Sequence, residues 1–196
     1  MNDGQTAHRL KQAALTAFLE SGYEGASLSA IAKQVGIRTP SIYAHFNSKE
    51  QLFLELLNDV IQEELANYKA LVERVSNRPI KEQLRAVFDF FTDLDHISSG
   101  QAFLKRTMMV PPKHLKEQLH RLFLAHEAEL VRYLADILEK GMDENVLVRQ
   151  DTGRMLALFF ALTDGMLVEH ELYDSRLYRE RQEIAWSWLW QVWAKE

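Results

Sequence analysis

Residues 27–46 hold two short apolar-faced segments that meet at one glycine, Gly36. No other feature constrains the fold as tightly. Ser27 is a good N-cap, and Leu28, Ile31, Ala32 and Val35 follow at i, i+3, i+4 and i+7, one face of a helix. Gly36 can supply the positive φ that a sharp turn requires. Ala32 is small enough to let two helices cross closely, and Ile37 fills the angle between them. Pro40 is tolerated in the first turn of the next helix, where amides have no intrahelical partner. Ile42, Tyr43 and Phe46 give that helix an inner face. Such a unit is the helix-turn-helix that places a helix in a DNA major groove. The same pattern also describes a generic solvent-exposed helical hairpin. Its outward tip is Arg38, Thr39, Pro40 and Ser41, followed by Ala44 and His45. Most of these side chains are small or hydrogen-bonding, so the backbone can approach base edges.

The rest of the chain reads as helix. Eight glycines and four prolines in 196 residues are too few for the many turns of a sandwich or barrel. Residues 6–21 form an amphipathic helix with Leu10, Ala14, Ala17 and Phe18 inward, Arg9 and Lys11 outward, and Gly22 as its left-handed stop. Ser48 and Gln51 make a capping box that opens a helix from Lys49 to about Val75, roughly 40 Å long. Further helices are expected over 80–97, 101–109, 113–140 (stopped by Gly141), 152–173 and 176–195. The expectation is an all-α chain of about nine helices: residues 1–48 as a three-helix DNA-binding domain, and 49–196 as a helical effector-binding and dimerisation domain. Helix 49–75 connects the two.

The chain has no cysteine, which excludes disulfides, thiol catalysis and Cys-ligated metals. The first residues lack the apolar core of a signal peptide, and Met155–Val168 is too short to span a bilayer. A cytosolic protein without membrane contact is therefore expected. The net charge of −5 disfavours a polyanion partner, but it is unevenly spread. Residues 1–49 carry five Lys/Arg against three Asp/Glu, whereas 50–196 carry eighteen against twenty-five. Any polyanion is thus assigned to the N-terminal quarter.

The stretch from Gly22 to Leu52 resembles the DNA-binding domain of tetracycline-repressor-type (TetR/AcrR) transcriptional regulators. The marks are Gly22-Tyr23, Ser27, Ile31-Ala32, Gly36, the Ile42-Tyr43…Phe46 block and Ser48-Lys49. The resemblance implies that Thr39, Pro40 and Ser41 face bases and that His45 faces a base or a phosphate. It further implies that Tyr43, Lys49 and Ser27 hold the backbone. Lys49 at a helix N-terminus is also an anion site on general grounds. Tyr43 is expected as a ring packed inside with its hydroxyl on a phosphate. Arg38 departs from the small capping residue common in the family. It binds a phosphate, reads a guanine or stays solvated.

One helix-turn-helix presents few contacts, so a two-fold dimer on a palindromic operator is expected. The last helix is apolar nearly all the way round, and such a helix is buried on most faces. Leu156, Phe160, Gly165 and Val168 with Trp186, Trp188, Leu189 and Trp193 form the candidate dimer surface; central helices of a monomer are the alternative. The resemblance implies a four-helix bundle made by these two helices from each subunit. Phe88, Phe90, Phe91, Phe103, Met108, Met109, Phe123, Phe159 and Phe160 are candidates for an apolar effector cavity, and each also reads as ordinary core. His126 is a ligand contact or a hydrogen-bonded helix histidine.

Catalytic motifs are missing: there is no Gly-rich phosphate loop, no H-E-x-x-H and no G-x-S-x-G. His114, His120 and His126 are spaced by six and do not share a helix face. Neither a cofactor nor a metal is expected, and no enzymatic activity. The expected function is a ligand-responsive transcriptional repressor released by a small apolar or amphipathic effector. Rival readings are a DNA-binding regulator whose C-terminal domain docks a protein, and an all-helical enzyme or carrier.

Overall fold

The computed structural model describes residues 3–195. Among them the helices are α1 (Asp3–Gly25), α2 (Leu28–Val35), α3 (Thr39–Ile42), α4 (Lys49–Val75), α5 (Ile80–Thr92), α6 (Ser99–Met109), α7 (Lys116–Asp143), α8 (Thr152–Leu172) and α9 (Ser175–Trp193). Single 3-10 turns lie at Leu94–His96 and Lys113–Leu115. No helix among the described residues is long and apolar enough to cross a membrane.

The chain forms two compact units, Met1–Glu64 with Ile97–Leu124, and Leu65–His96 with Ala125–Glu196. The boundary between these units is one of packing. It cuts α4 and α7 part-way along, because each long helix contributes one segment to either unit.

In the first unit α1 packs on α2 and α6. Leu10, Ala14 and Phe18 are buried on α1, as are Ile31, Ala32 and Val35 on α2, and Leu52 and Phe53 on α4. Phe53 meets Phe18 and Phe103 edge-on at 5.1 and 5.3 Å between centroids. Arg9 and Lys11, expected to face water, are both engaged. Arg9 donates to Val35 O at 2.7 Å, and Lys11 pairs with Asp59 at 2.7 Å. Gly22 does not end α1 cleanly. It takes φ 68° and ψ 178°, a region essentially restricted to glycine, and one more helical turn follows to Gly25.

The second unit is built round Tyr68, Leu84, Phe88, Leu134, Phe159 and Trp193, all buried. A polar thread runs through it. The Tyr178 hydroxyl donates to Thr92 O at 2.6 Å, Gln182 Nε2 donates to Thr92 Oγ1 at 2.8 Å, and Thr92 Oγ1 donates to Phe88 O. By contrast, the buried Tyr68 hydroxyl has no hydrogen-bond partner among the described residues. Asp151 and Asp174 cap α8 and α9 by accepting backbone N–H bonds.

Two expected ends moved. α5 stops at Thr92, not 97, because Asp93 leaves helical geometry and a 3-10 turn follows. α7 begins at Lys116 after the other 3-10 turn, and Gly141 does not stop it. Gly141 is instead a close-approach position: an added Cβ would stand 2.7 Å from Leu147 Cδ1 and 2.9 Å from Ile80 Cγ2. The chain leaves α7 with Asn145 at φ 58° and returns to bridge Leu147 to Ala194.

Candidate nucleic-acid interface

The bend between α2 and α3 is made as the residues dictate. Ser27 Oγ accepts from Ala30 N at 3.1 Å and starts α2. Gly36 ends it at φ 78° and ψ 28°, left-handed. Its N–H reaches Lys33 O at 3.1 Å, and that of Ile37 reaches Ala32 O at 3.0 Å, so two C-terminal carbonyls are satisfied. Arg9 satisfies a third, Val35 O. Sequence periodicity gave no hint of that contact, because Arg9 sits on a different helix.

α3 is shorter than expected. Only Thr39–Ile42 is α-helical, with Pro40 in its first turn and looser turns through His45. Ile42 and Phe46 are buried and anchor the segment. Arg38, Pro40, Ser41 and Ala44 are exposed, while Thr39 and His45 are half-buried. Arg38 is exposed and makes no side-chain cap. Tyr43 departs from expectation: its ring is 54% exposed, not packed inside. The inner face needs only two anchors four residues apart, and position 43 falls outside that pair.

Lys49, expected on the phosphate backbone, is engaged within the protein. Its Nζ donates to Tyr23 O at 2.7 Å and to Ala26 O at 3.1 Å, and lies 4.4 Å from the Tyr23 ring centroid. Two of three ammonium protons are thus committed to the link between α1 and α2. Ser48 caps Gln51 N at 3.0 Å, but Gln51 Oε1 accepts from Asn47 N, one residue before the expected partner. Burial, with Glu50 and Glu24 nearby, holds the Tyr23 phenol above its ordinary pKa.

The predicted effector set divides between the two units. Phe91 meets Phe159 and Phe160 edge-on at 5.7 and 5.8 Å within the second unit, where Phe88 and His126 are also buried. Phe103 belongs to the first unit, as do Met108 and Met109, which are exposed, and Phe123, which is half-buried. The first unit also contains a cavity of about 540 Å³ that of this set only Phe103 lines. Its walls come from α1, α4, and α6 with the 110–113 loop that follows it, three separate stretches that no single sequence window displays.

The predicted dimer set divides as well. Trp186, Leu189 and Trp193 are buried in their own unit's core and leave no surface for a partner. Gly165, Val168 and Trp188 are exposed, and Leu156 and Phe160 are half-buried.

Residues 10–56 match the family model for bacterial regulatory proteins of the tetR family. The match spans the helix-turn-helix just described. This N-terminal segment is thus a TetR-type helix-turn-helix. It is 26% identical over 148 residues to the biofilm operon icaADBC HTH-type negative transcriptional regulator IcaR of Staphylococcus aureus (strain Newman), covering 74% of this chain and 75% of that one. Among solved structures, a TetR-family transcriptional regulator from Agrobacterium tumefaciens is 26% identical with a TM-score of 0.69, over 93% of this chain and 98% of that one. A transcriptional regulator from Saccharomonospora viridis in complex with choline has a TM-score of 0.81 at 14% identity, over 99% and 100% of the two chains. The TetR-type helix-turn-helix of this chain is a DNA-binding module, and the protein is a transcription regulator.

Proposed function

We propose that the protein is a homodimeric repressor that binds a palindromic operator and is released by a small apolar or amphipathic effector. The observation that carries this reading is the exposed tip Arg38–Pro40–Ser41, held out by a glycine-made bend. In this role Thr39, Pro40 and Ser41 read bases. Arg38 and the exposed Tyr43 hydroxyl take phosphates, and His45 borders the groove. Phosphate contacts position such a domain and base contacts specify the sequence.

The dimer surface is the outer face of α8 and α9. Leu158, Ala161, Gly165, Val168 and Leu172 recur at alternating spacings of three and four along α8, all exposed. Ile184, Trp188 and Val192 recur every four residues along α9, also exposed. Two such faces from each of two subunits make a bundle. Repression is supported by the negative regulator IcaR, and effector binding by the choline complex of the S. viridis protein. An effector that favours a DNA-incompetent state needs only about 1–3 kcal/mol of differential binding.

The test is a gel shift with duplex from the intergenic region upstream of its own gene, alongside light scattering for mass. A salt-dependent, competitor-resistant shift by a dimer supports the reading. Failure to bind any duplex at low salt would reject it.

A further inference from the structure

We propose that the cavity in the first unit binds a small carboxylate with an aromatic or branched apolar body. Its volume, about 540 Å³, falls within the range of small-molecule sites. The floor is aromatic. Phe18, Phe53 and Phe103 pack with ring centroids 5.1–6.0 Å apart, and Tyr23 closes one side at 5.0 Å from Phe53. Pro111 and Pro112 add a rigid apolar wall. Thr107 also lines the cavity but turns its hydroxyl proton to Phe103 O.

Charge decides the class of ligand. Arg106 and Lys113 both line the cavity and both are exposed. Among the described residues neither side chain has an ion-pair or hydrogen-bond partner. The one acid in the lining, Glu24, faces His114 at 3.9 Å. An apolar pocket with two uncommitted cations at its mouth favours a ligand with an apolar body and one anionic end. The planar fork of Arg106 matches a carboxylate in particular.

The location gives such a ligand a consequence. Arg106 Nη2 stands 3.5 Å from where a Cβ on Gly22 would lie, beside the kink of α1. A carboxylate on Arg106 therefore rests against the Gly22–Tyr23 backbone. Tyr23 O and Ala26 O are the two carbonyls that Lys49 clamps, and Ser27 starts α2 one residue later. Occupancy of the cavity bears directly on the link that orients the helix-turn-helix. This regulatory consequence rests on the operator-binding reading, but the ligand site does not.

The experiment is calorimetric titration of the full chain with 4-phenylbutyrate and the branched 4-methylpentanoate, and with 4-phenylbutan-1-ol as the uncharged comparator, all without DNA. The carboxylates should bind, and Arg106→Gln with Lys113→Gln should weaken them by about tenfold or more while leaving the alcohol unchanged. Both positions are exposed, so the variant should fold, and far-ultraviolet circular dichroism checks this. Backbone amide NMR should show the bound carboxylate shifting Gly22 and Tyr23. The proposal is overturned by no carboxylate binding at millimolar concentration, by undiminished affinity in the double variant, by equal affinity for the alcohol, or by shifts confined to residues 125–195. A separate gel shift then tests whether the carboxylate alters operator binding.

Discussion

At the scale of single residues, backbone conformation and hydrogen bonding set the costs. Gly36 adopts φ 78° with open space around the missing Cβ, so its replacement by Ala is strained but not obstructed. A left-handed L-residue costs about 1–2 kcal/mol, and Asn tolerates that region better. Gly36→Ala should therefore lower thermal stability, and Gly36→Asn should lower it less. An Asn variant less stable than the Ala variant would show that space, not φ, governs this turn. Two buried tyrosines offer a second contrast. Burial pushes both phenols far above their ordinary pKa, so both stay neutral, yet only Tyr178 has a partner. Tyr178→Phe leaves Thr92 O short of a donor and should cost about 1–2 kcal/mol. Tyr68→Phe removes a hydroxyl without a partner and should be neutral or mildly stabilising. Denaturant titration of both variants decides, and equal losses would contradict the hydrogen-bond argument.

At the scale of elements, the clamp on the α1–α2 link separates positioning from phosphate binding. Lys49 uses two donors on carbonyls, whereas Arg38 is exposed and makes no cap. Lys49→Ala should weaken both stability and operator affinity, with little change in how affinity varies with salt. Arg38→Ala should reduce the salt slope by about one. Gel shifts across a salt series test this, and a Lys49→Ala slope falling as far as that of Arg38→Ala would return Lys49 to the phosphates. α9 gives an acid-side prediction. Arg179 holds Asp95, Arg181 holds Glu169 and Arg85 holds Glu183, and each arginine keeps its acid below the ordinary carboxylate pKa. A depressed folded pKa contributes stability above the unfolded value, about 4, and that stability is lost as pH falls through the folded value. Asp89 runs the other way, since burial raises it. The melting temperature should stay level from pH 7 to about 5 and fall below about 4, less steeply in Glu169→Gln/Glu183→Gln. A melt that rises on acidification contradicts the assignment. The helix start most legible in the sequence is that of α2, where Ser27 accepts the backbone bond; Ser98 and Asp174 do the same for α6 and α9, which begin two and one residues before the expected starts. Ends set by tertiary packing were not legible. Gly141 looks like a stop until Leu147 and Ile80 are seen against it, and α3 loses its last turn although the apolar spacing continues.

At the scale of the whole molecule, the open question in the sequence was which side of α9 belongs to the protein's own core. Eight apolar residues from Ile184 to Trp193 leave only a narrow polar strip, Ser187 and Gln191, to orient it. Packing answers it, with Trp186, Leu189 and Trp193 inward and Ile184, Trp188 and Val192 outward. The aromatic cavity of the first unit was illegible for a related reason: its walls are far apart in the chain and meet only after folding. The inward and outward sets give the dimer reading a sharp test. Trp188 is 63% exposed and sits at the middle of the outward stripe. In an isologous interface each residue occurs twice, so Trp188→Glu introduces two charges into one buried seam. Each fully buried unpaired carboxylate costs several kcal/mol, enough to convert a dimer of ordinary strength into monomers. The subunit itself should remain folded, because position 188 contributes nothing to the core. Light scattering should then show half the mass of the unaltered protein at micromolar concentration, with helicity retained. Operator affinity should collapse, because one helix-turn-helix alone makes too few contacts. Trp186→Glu, one turn-half away on the same helix, should instead unfold the second unit. A Trp188→Glu protein that keeps its dimeric mass would place the seam elsewhere on the surface, and the α8–α9 stripe would need another explanation.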